Sequence, residues 1–289
     1  MSTVREWLSG LANLAVLVFA VTSMLSVGFA YSARQILGPL RDVPKLLRAL
    51  LANFVLVPLL GLAIIRLWPL ERPLQAGLVL AAMTAGAPFL IKLTAVAKAE
   101  VALSATLLVL LLPVTVLYAP IAVPQVLPEA DVSVAGLAVP LVLTLLLPLA
   151  VGLLVRARWP ALARRSVPIV RHASTVALVV LVLGTTLANV PTIVELFTTG
   201  AIVAPVLLIV GAFVIGFLLG GRDRDVRHVL ALGTAQRNIS AATVMATQGF
   251  ADNDTLVMVI ATSLAGFALL FPAAAVLRRI ESAAADRDG

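Results

Sequence analysis

Long apolar stretches recur along this chain, separated by short polar segments that carry most of its charge. A bilayer core about 30 Å thick needs roughly 20 apolar residues per helix. Stretches of that length fall near 5–30, 44–66, 74–98, 101–120, 133–156, 166–189, 200–220, 226–250 and 254–280. The pattern predicts nine spans, with the Lys98–Glu100 turn the narrowest separation. Pro39, Pro69, Pro73, Pro124, Pro128, Pro160 and Pro191 lie in or beside the expected loops, where a residue without an N–H interrupts a helix.

Composition narrows the class. Of 289 residues, 61% are hydrophobic and only 12% charged. A soluble domain carries about 25% charged residues, so this chain could not cover a globular surface, and a soluble enzyme is excluded. The absence of cysteine removes thiolate metal sites and cysteine nucleophiles. The net charge of +7 could suggest nucleic acid, but no Lys/Arg run is interleaved with stacking aromatics. No small-residue cleavage site follows Met1 to Gly10, so the first stretch reads as a retained span. The expected organisation is one integral membrane domain over 1–289, with a first half near 5–124 and a second near 131–280.

The basic residues test the span count through the positive-inside rule. Alternating nine spans puts Arg34, Arg41, Lys45, Arg48, Lys98, Arg156, Arg158, Arg164, Arg165, Arg171, Arg222, Arg224, Arg227, Arg278, Arg279 and Arg287 on one face. The other face receives only Arg5, Arg66 and Arg72. A miscounted span would scramble this bias. The expectation is a multi-pass plasma (inner) membrane protein with its N-terminus outside and its C-terminus cytoplasmic.

Two spans are interrupted. The third contains Thr84-Ala85-Gly86-Ala87-Pro88, where Gly86 and Pro88 break the helix. The eighth contains Gly233-Thr234-Ala235-Gln236-Arg237-Asn238-Ile239-Ser240, a polar cluster at membrane depth with Gly233 as its expected breaker. The third and eighth spans cross in opposite directions, and each is the penultimate span of its half. Interrupted segments at corresponding positions of inverted halves point to the binding site of a secondary transporter. The competing reading is a pair of ordinary kinks, since Pro and Gly are common in membrane helices.

With these breaks in place, the chain resembles the bile acid:sodium symporter family over about residues 10 to 280. That family has Pro-Gly-Gly-x-x-Ser-Asn at its first helix crossing, and Ala85-Gly86-Ala87-Pro88-Phe89-Leu90-Ile91 is the corresponding run. Val101-Ala102-Leu103-Ser104 follows at the matching distance, and Ala52-Asn53-Phe54 with Pro58 resembles the family's Ala-Gln-Phe and downstream Pro. Leu232 to Asn238 occupies the place of the family's Glu-x-Gly-x-Gln-Asn-Ser. The family's ten-helix members have one further N-terminal span. The resemblance implies a core domain holding the crossing helices, a panel domain, alternating access between them, and sodium-coupled import of organic anions. The family's sodium ligands carry over poorly, to Leu90, Ile91, Leu108 and Leu232; only Asn53, Ser104 and Gln236 match with usable side chains. Sodium needs several oxygen ligands, and all fourteen Asp and Glu residues lie in loops or at span ends. The expectation is therefore that the family's sodium sites are degraded, with no other cofactor.

Two basic residues stand outside the topology count, Lys92 in the third span and Arg237 in the break of the eighth. A cation within a membrane is costly and marks a functional site. The expectation is that these fixed cations take roughly the place of sodium, close to half-helix N-termini. Together with Thr84, Thr94, Thr234, Asn238 and Ser240 they would receive a small organic anion. For both cations the competing reading is snorkelling to the cytoplasmic face. His172, His228 and Asn189 read as interfacial or solvated. The leading expectation is a monomeric secondary transporter of an organic anion, sodium-independent or only weakly sodium-coupled. The alternatives are an ordinary sodium-coupled symporter and a passive anion channel. No metal set or catalytic dyad lies at membrane depth, so no enzyme is expected.

Overall fold

The computed structural model describes residues 2–32, 42–128 and 133–288, all in helices and short connections. Pro39, Arg34, Arg41 and residue 131, the expected start of the second half, lie outside the described residues. The helices are α1 Ser2–Ala30, α2 Val43–Leu67, α3 Arg72–Met83, α4 Leu90–Ala97, α5 Val101–Val126 and α6 Val134–Arg158. They continue as α7 Pro160–Ala188, α8 Val190–Thr198, α9 Val203–Leu219, α10 Arg224–Ala235, α11 Ile239–Gly249 and α12 Asn253–Asp288.

Among the described residues, five helices are long and apolar enough to cross a membrane by themselves: α2, α5, α6, α7 and α12 through Ile280. A sixth crossing results if α8 and α9, bent by 72° at their junction, count as one. Apolar side chains such as Leu59, Leu117, Leu183 and Leu218 face outward, as a lipid-facing surface requires. This is a multi-pass membrane protein.

Prolines account for much of the local geometry. Pro58 and Pro148 each follow a widened π turn, Ala52–Leu56 in α2 and Val142–Leu146 in α6. Each ring would meet the carbonyl four residues earlier, and the extra residue in the turn relieves that contact. Three of the expected loop prolines stand at helix starts, beside the connections. Pro73, Pro160 and Pro191 occupy the first turns of α3, α7 and α8, where the missing N–H has no intrahelical partner to lose. Pro124 lies inside α5, which continues to Val126 with Pro113 and Pro120 also internal. Membrane helices tolerate internal Pro where neighbouring groups satisfy the freed carbonyls.

The helices gather into two packed regions. α1 lies along α7 and α6. A Cβ on Gly28 would stand 2.7 Å from Gly152 Cα, so the α1 and α6 backbones touch through paired glycines. The other helices form a second region, in which α9 packs on α10 and α12 packs on α3 and α4. One apolar cluster fills this second region, joining Leu78, Leu93, Leu208, Leu230 and Met258. A second cluster lies between the regions, where Phe19, Met24 and Leu141 meet Leu112, Val244 and Ile260.

At one end of the molecule Lys45 pairs with Asp42 at 3.0 Å and with Asp223 at 3.8 Å. This tie joins the start of α2 to the start of α10.

Candidate functional site

The helices that are too short to span alone meet at one place. α3 and α4 have 12 and 8 residues, and α10 and α11 have 12 and 11. At 1.5 Å per residue none reaches across a ~30 Å core. α3 stops at Met83, extended backbone follows from Thr84, and Gly86 turns the chain at φ +78. A Cβ at Gly86 would stand 2.8 Å from Leu112 N, so glycine is required by both dihedral and space. α10 ends at Ala235, and Gln236 and Asn238 lead into α11.

Gly233, expected to break the eighth span, lies within α10. Its missing side chain instead admits Leu90, whose methyl would be 3.1 Å from a Cβ there. The break comes at Gln236–Asn238, where side chains compete for backbone groups.

A broken helix leaves carbonyls and N–H groups unpaired, and each must find a partner at membrane depth. Asn238 supplies several. Its backbone N–H donates to Thr84 O at 3.1 Å, and its Nδ2 donates to Ala85 O at 3.2 Å and Gly86 O at 2.9 Å. Its Oδ1 caps α11 by accepting from Ala241 N at 3.1 Å. Thr115 on α5 accepts from Ala85 N at 3.0 Å and donates to Ala85 O at 3.1 Å. Each break is thus completed largely by the other.

Arg237 lies 5% exposed at the centre of this junction. Nε donates to Ala81 O at 3.0 Å and Nη2 to Ala82 O at 2.9 Å. Nη1 donates to Thr234 O at 2.8 Å and to Asn53 Oδ1 at 2.9 Å. Four of the five guanidinium donors are therefore taken by protein oxygens. The expectation that Arg237 sits beside half-helix N-termini is corrected, because the guanidinium turns to the C-terminal carbonyls of α3 and α10. A helix C-terminus carries about −0.5 charge, so two of them offset roughly one cation. Asn53 completes the set from the π turn of α2, its Nδ2 donating to Ala49 O at 2.9 Å and its Oδ1 facing Arg237.

The other expected residues divide. Thr84 and Thr94 are buried and spend their hydroxyls on their own helices, at Leu80 O and Leu90 O, both 2.8 Å away. Thr234 lies beside Asn53 Nδ2 at 3.5 Å. Ser104 donates to Val101 O at 2.7 Å, away from the junction. Ser240 faces Ser23 of α1 across 3.4 Å. Gln236 Nε2 reaches Arg237 O at 3.5 Å, while its buried Oε1 has no hydrogen-bond partner. The positions to which the family's sodium ligands fall do not fit a cation: Leu90, Leu108 and Leu232 are fully packed apolar side chains. His228 and Asn189 are buried, at 4% each, so the expectation that Asn189 is solvated is corrected.

Lys92 is exposed and does not join Arg237. It lies in the first turn of α4, with Nζ 5.0 Å from the Phe89 ring centre. It lines a cavity of about 300 Å³ between the two packed regions, together with Ser23, Tyr31, Pro88, Arg171 and Thr175. Burial raises the Tyr31 phenol above its ordinary range, and the Arg171 guanidinium pulls it back. Sequence reasoning missed Thr115, Ser23 and Arg171 as parts of these sites. Thr115 and Ser23 are polar residues inside apolar helices, a weak signal, and Arg171 was absorbed into the count of cytoplasmic charges. A larger cavity of about 630 Å³ lies at the opposite ends of the core helices, near Arg72, Asp252 and Thr255.

Apolar helices long enough to cross a membrane, packed with two pairs of short helices whose breaks are joined by polar groups, fit a membrane transport protein. The family model for the sodium bile acid symporter family matches residues 15–196, and the chain belongs to that family. It is a membrane transporter of the bile acid symporter type. The matched stretch holds Asn53, the first break and Lys92, while the second break with Arg237 lies beyond it. No curated protein matches the chain.

Proposed function

We propose that this protein is a secondary transporter of a small organic anion, working by alternating access without sodium. The observation that carries the reading is the buried Arg237 guanidinium, bonded to Ala81 O, Ala82 O, Thr234 O and Asn53 Oδ1. The resemblance implies a carrier that binds sodium at its helix crossing. Here a permanent cation, covalently part of the chain, takes that place and leaves no charge deficit for sodium to fill. Arg237 is therefore the fixed cation, with Asn53, Gln236 and Thr234 around it, and Lys92 meets the substrate.

The rest of the reading follows the helices. Each broken pair, α3 with α4 and α10 with α11, makes one crossing, which brings the total to nine. The two breaks are penultimate in halves near 5–124 and 131–280, the arrangement of an inverted repeat. α1, α6 and α7 form the panel, and the other helices form the core that moves against it. The arginine-rich ends face the cytoplasm, with the N-terminus outside, in a monomer within the inner membrane. The substrate enters the 300 Å³ cavity between panel and core, where Lys92 stands in the first turn of α4 and adds its charge to that half-helix's positive end.

The test is uptake and counterflow of organic anions in proteoliposomes with sodium replaced by potassium. Saturable uptake with exchange, unchanged by the replacement, is the expected result. Abolition of uptake without sodium would overturn the fixed-cation reading, and ohmic non-saturating current would make the protein a channel. One observation favours sodium coupling: the unpartnered Oε1 of buried Gln236 offers an oxygen to a cation or a water. A sodium-dependent rise in thermal stability of the unaltered protein would identify that occupant as sodium.

A further inference from the structure

The cavity between the two packed regions has a second cation, and it comes from the opposite wall. Lys92 stands on α4 and Arg171 on α7, and both line the same volume of about 300 Å³. Among the described residues no carboxylate lines that cavity, and neither cation forms a salt bridge. Lys92 instead rests on the Phe89 ring, and Arg171 acts electrostatically on Tyr31. Two like charges therefore face one small cavity with hydroxyls but no acid to balance them. A monoanion would leave one of them uncompensated, whereas a dianion would neutralise both.

The two cations also differ in what they recognise. A lysine ammonium is a compact point charge that accepts an acidic group from many directions, while the planar guanidinium fits a carboxylate through two parallel hydrogen bonds. At about 300 Å³ the cavity lies at the bottom of the range for small-molecule sites. That volume suits a compact molecule.

We infer that the cavity takes a compact organic dicarboxylate, held with one carboxylate on Lys92 and the other on Arg171. Arg171 is then the residue that selects for the second charge. This rests on the organic-anion reading above and adds the substrate class to it. Because Lys92 and Arg171 belong to different packed regions, the substrate ties the two walls together as it binds.

The test is calorimetric binding to the full-length protein in detergent, using matched pairs of acids: succinate against butanoate, and glutarate against pentanoate. The unaltered protein should bind each dicarboxylate at least about tenfold more tightly than its monocarboxylate partner, a difference of about 1.4 kcal/mol. Arg171→Gln should erase that preference while changing monocarboxylate affinity by less than about threefold, and Arg171→Lys should restore part of it. Arg164→Gln, on the same helix but outside the cavity lining, should leave both affinities unchanged. Thermal unfolding without ligand checks that each variant is folded. If the protein binds monocarboxylates through Lys92 without preferring the diacids, the dicarboxylate assignment fails and the organic-anion reading stands. If R171Q keeps the preference, the role of Arg171 fails. If neither acid binds and Lys92→Gln changes no organic-anion transport, the anion reading itself fails.

Discussion

Replacing Arg237 with alanine removes the donors from four oxygens at once: Ala81 O, Ala82 O, Thr234 O and Asn53 Oδ1. Hydrogen bonds to charged groups contribute about 1.5–3 kcal/mol each in net terms, but four cannot be summed. Water enters the space left by the side chain, and each carbonyl has a second lone pair. Breaking one side of a buried ionic network costs about 3–5 kcal/mol, and that range is expected here. In a chain of this size such a loss lowers the melting temperature by roughly 10 °C. The deletion also leaves the C-termini of α3 and α10 facing each other without a cation. Sodium should therefore raise the melting temperature of Arg237→Ala in detergent relative to potassium, and should do nothing to the unaltered protein. Arg237→Lys, which keeps the charge but only three donors, should fall between them. Thermal unfolding in sodium and in potassium measures all three. The reasoning is refuted if Arg237→Ala melts within about 2 °C of the unaltered protein, or if sodium stabilises both alike.

Substitutions at four further positions address the geometry of the junction and the panel. Asn238→Ala loses the α11 cap and two donors to the first break. It should cost about 2–3 kcal/mol; Asn238→Ser, whose hydroxyl can still cap α11 but cannot span to both carbonyls, should recover about 1 kcal/mol of that in denaturation. Gly86→Ala forces a side chain to φ +78 with its Cβ 2.8 Å from Leu112 N. The left-handed dihedral alone costs about 1–2 kcal/mol, so a greater loss is expected, read as a lower melting temperature and yield of monodisperse protein. Gly28→Ala and Gly152→Ala each push α1 from α6, since either Cβ would come within 2.9 Å of the other glycine's Cα. Each should cost about 1–3 kcal/mol, and the double variant should cost less than the sum, because the first substitution already opens the gap.

Much of this protein is legible along the chain. Hydropathy, proline and glycine act within a turn or two of where they stand, so the breaks at Thr84–Pro88 and Gln236–Asn238 could be located from local residues. The basic residues at the ends of apolar stretches likewise needed no structure to be noticed. Helix limits were less legible: Pro124 lies within α5 and Gly233 within α10. Whether Pro or Gly interrupts a helix depends on neighbours that can accept or replace the lost bonds.

What surrounds the two membrane cations was decided by the tertiary structure alone. Arg237 stood out in the sequence because an unpaired cation in an apolar span is costly. Its partners did not stand out: three of the four are backbone carbonyls, which every residue possesses, and Ala81, Ala82 and Asn53 lie 156, 155 and 184 positions away. Only the crossing of α3 and α10 directs their negative ends at one guanidinium. Lys92 and Arg171 show the complement. In the chain they are an odd charge inside a span and one basic residue among many near a helix end. Folding sets α4 across a gap from α1 and α7, which makes them walls of one cavity. A residue's own chemistry is written at its position, whereas the field it experiences is set by backbone dipoles and charges that folding brings from elsewhere.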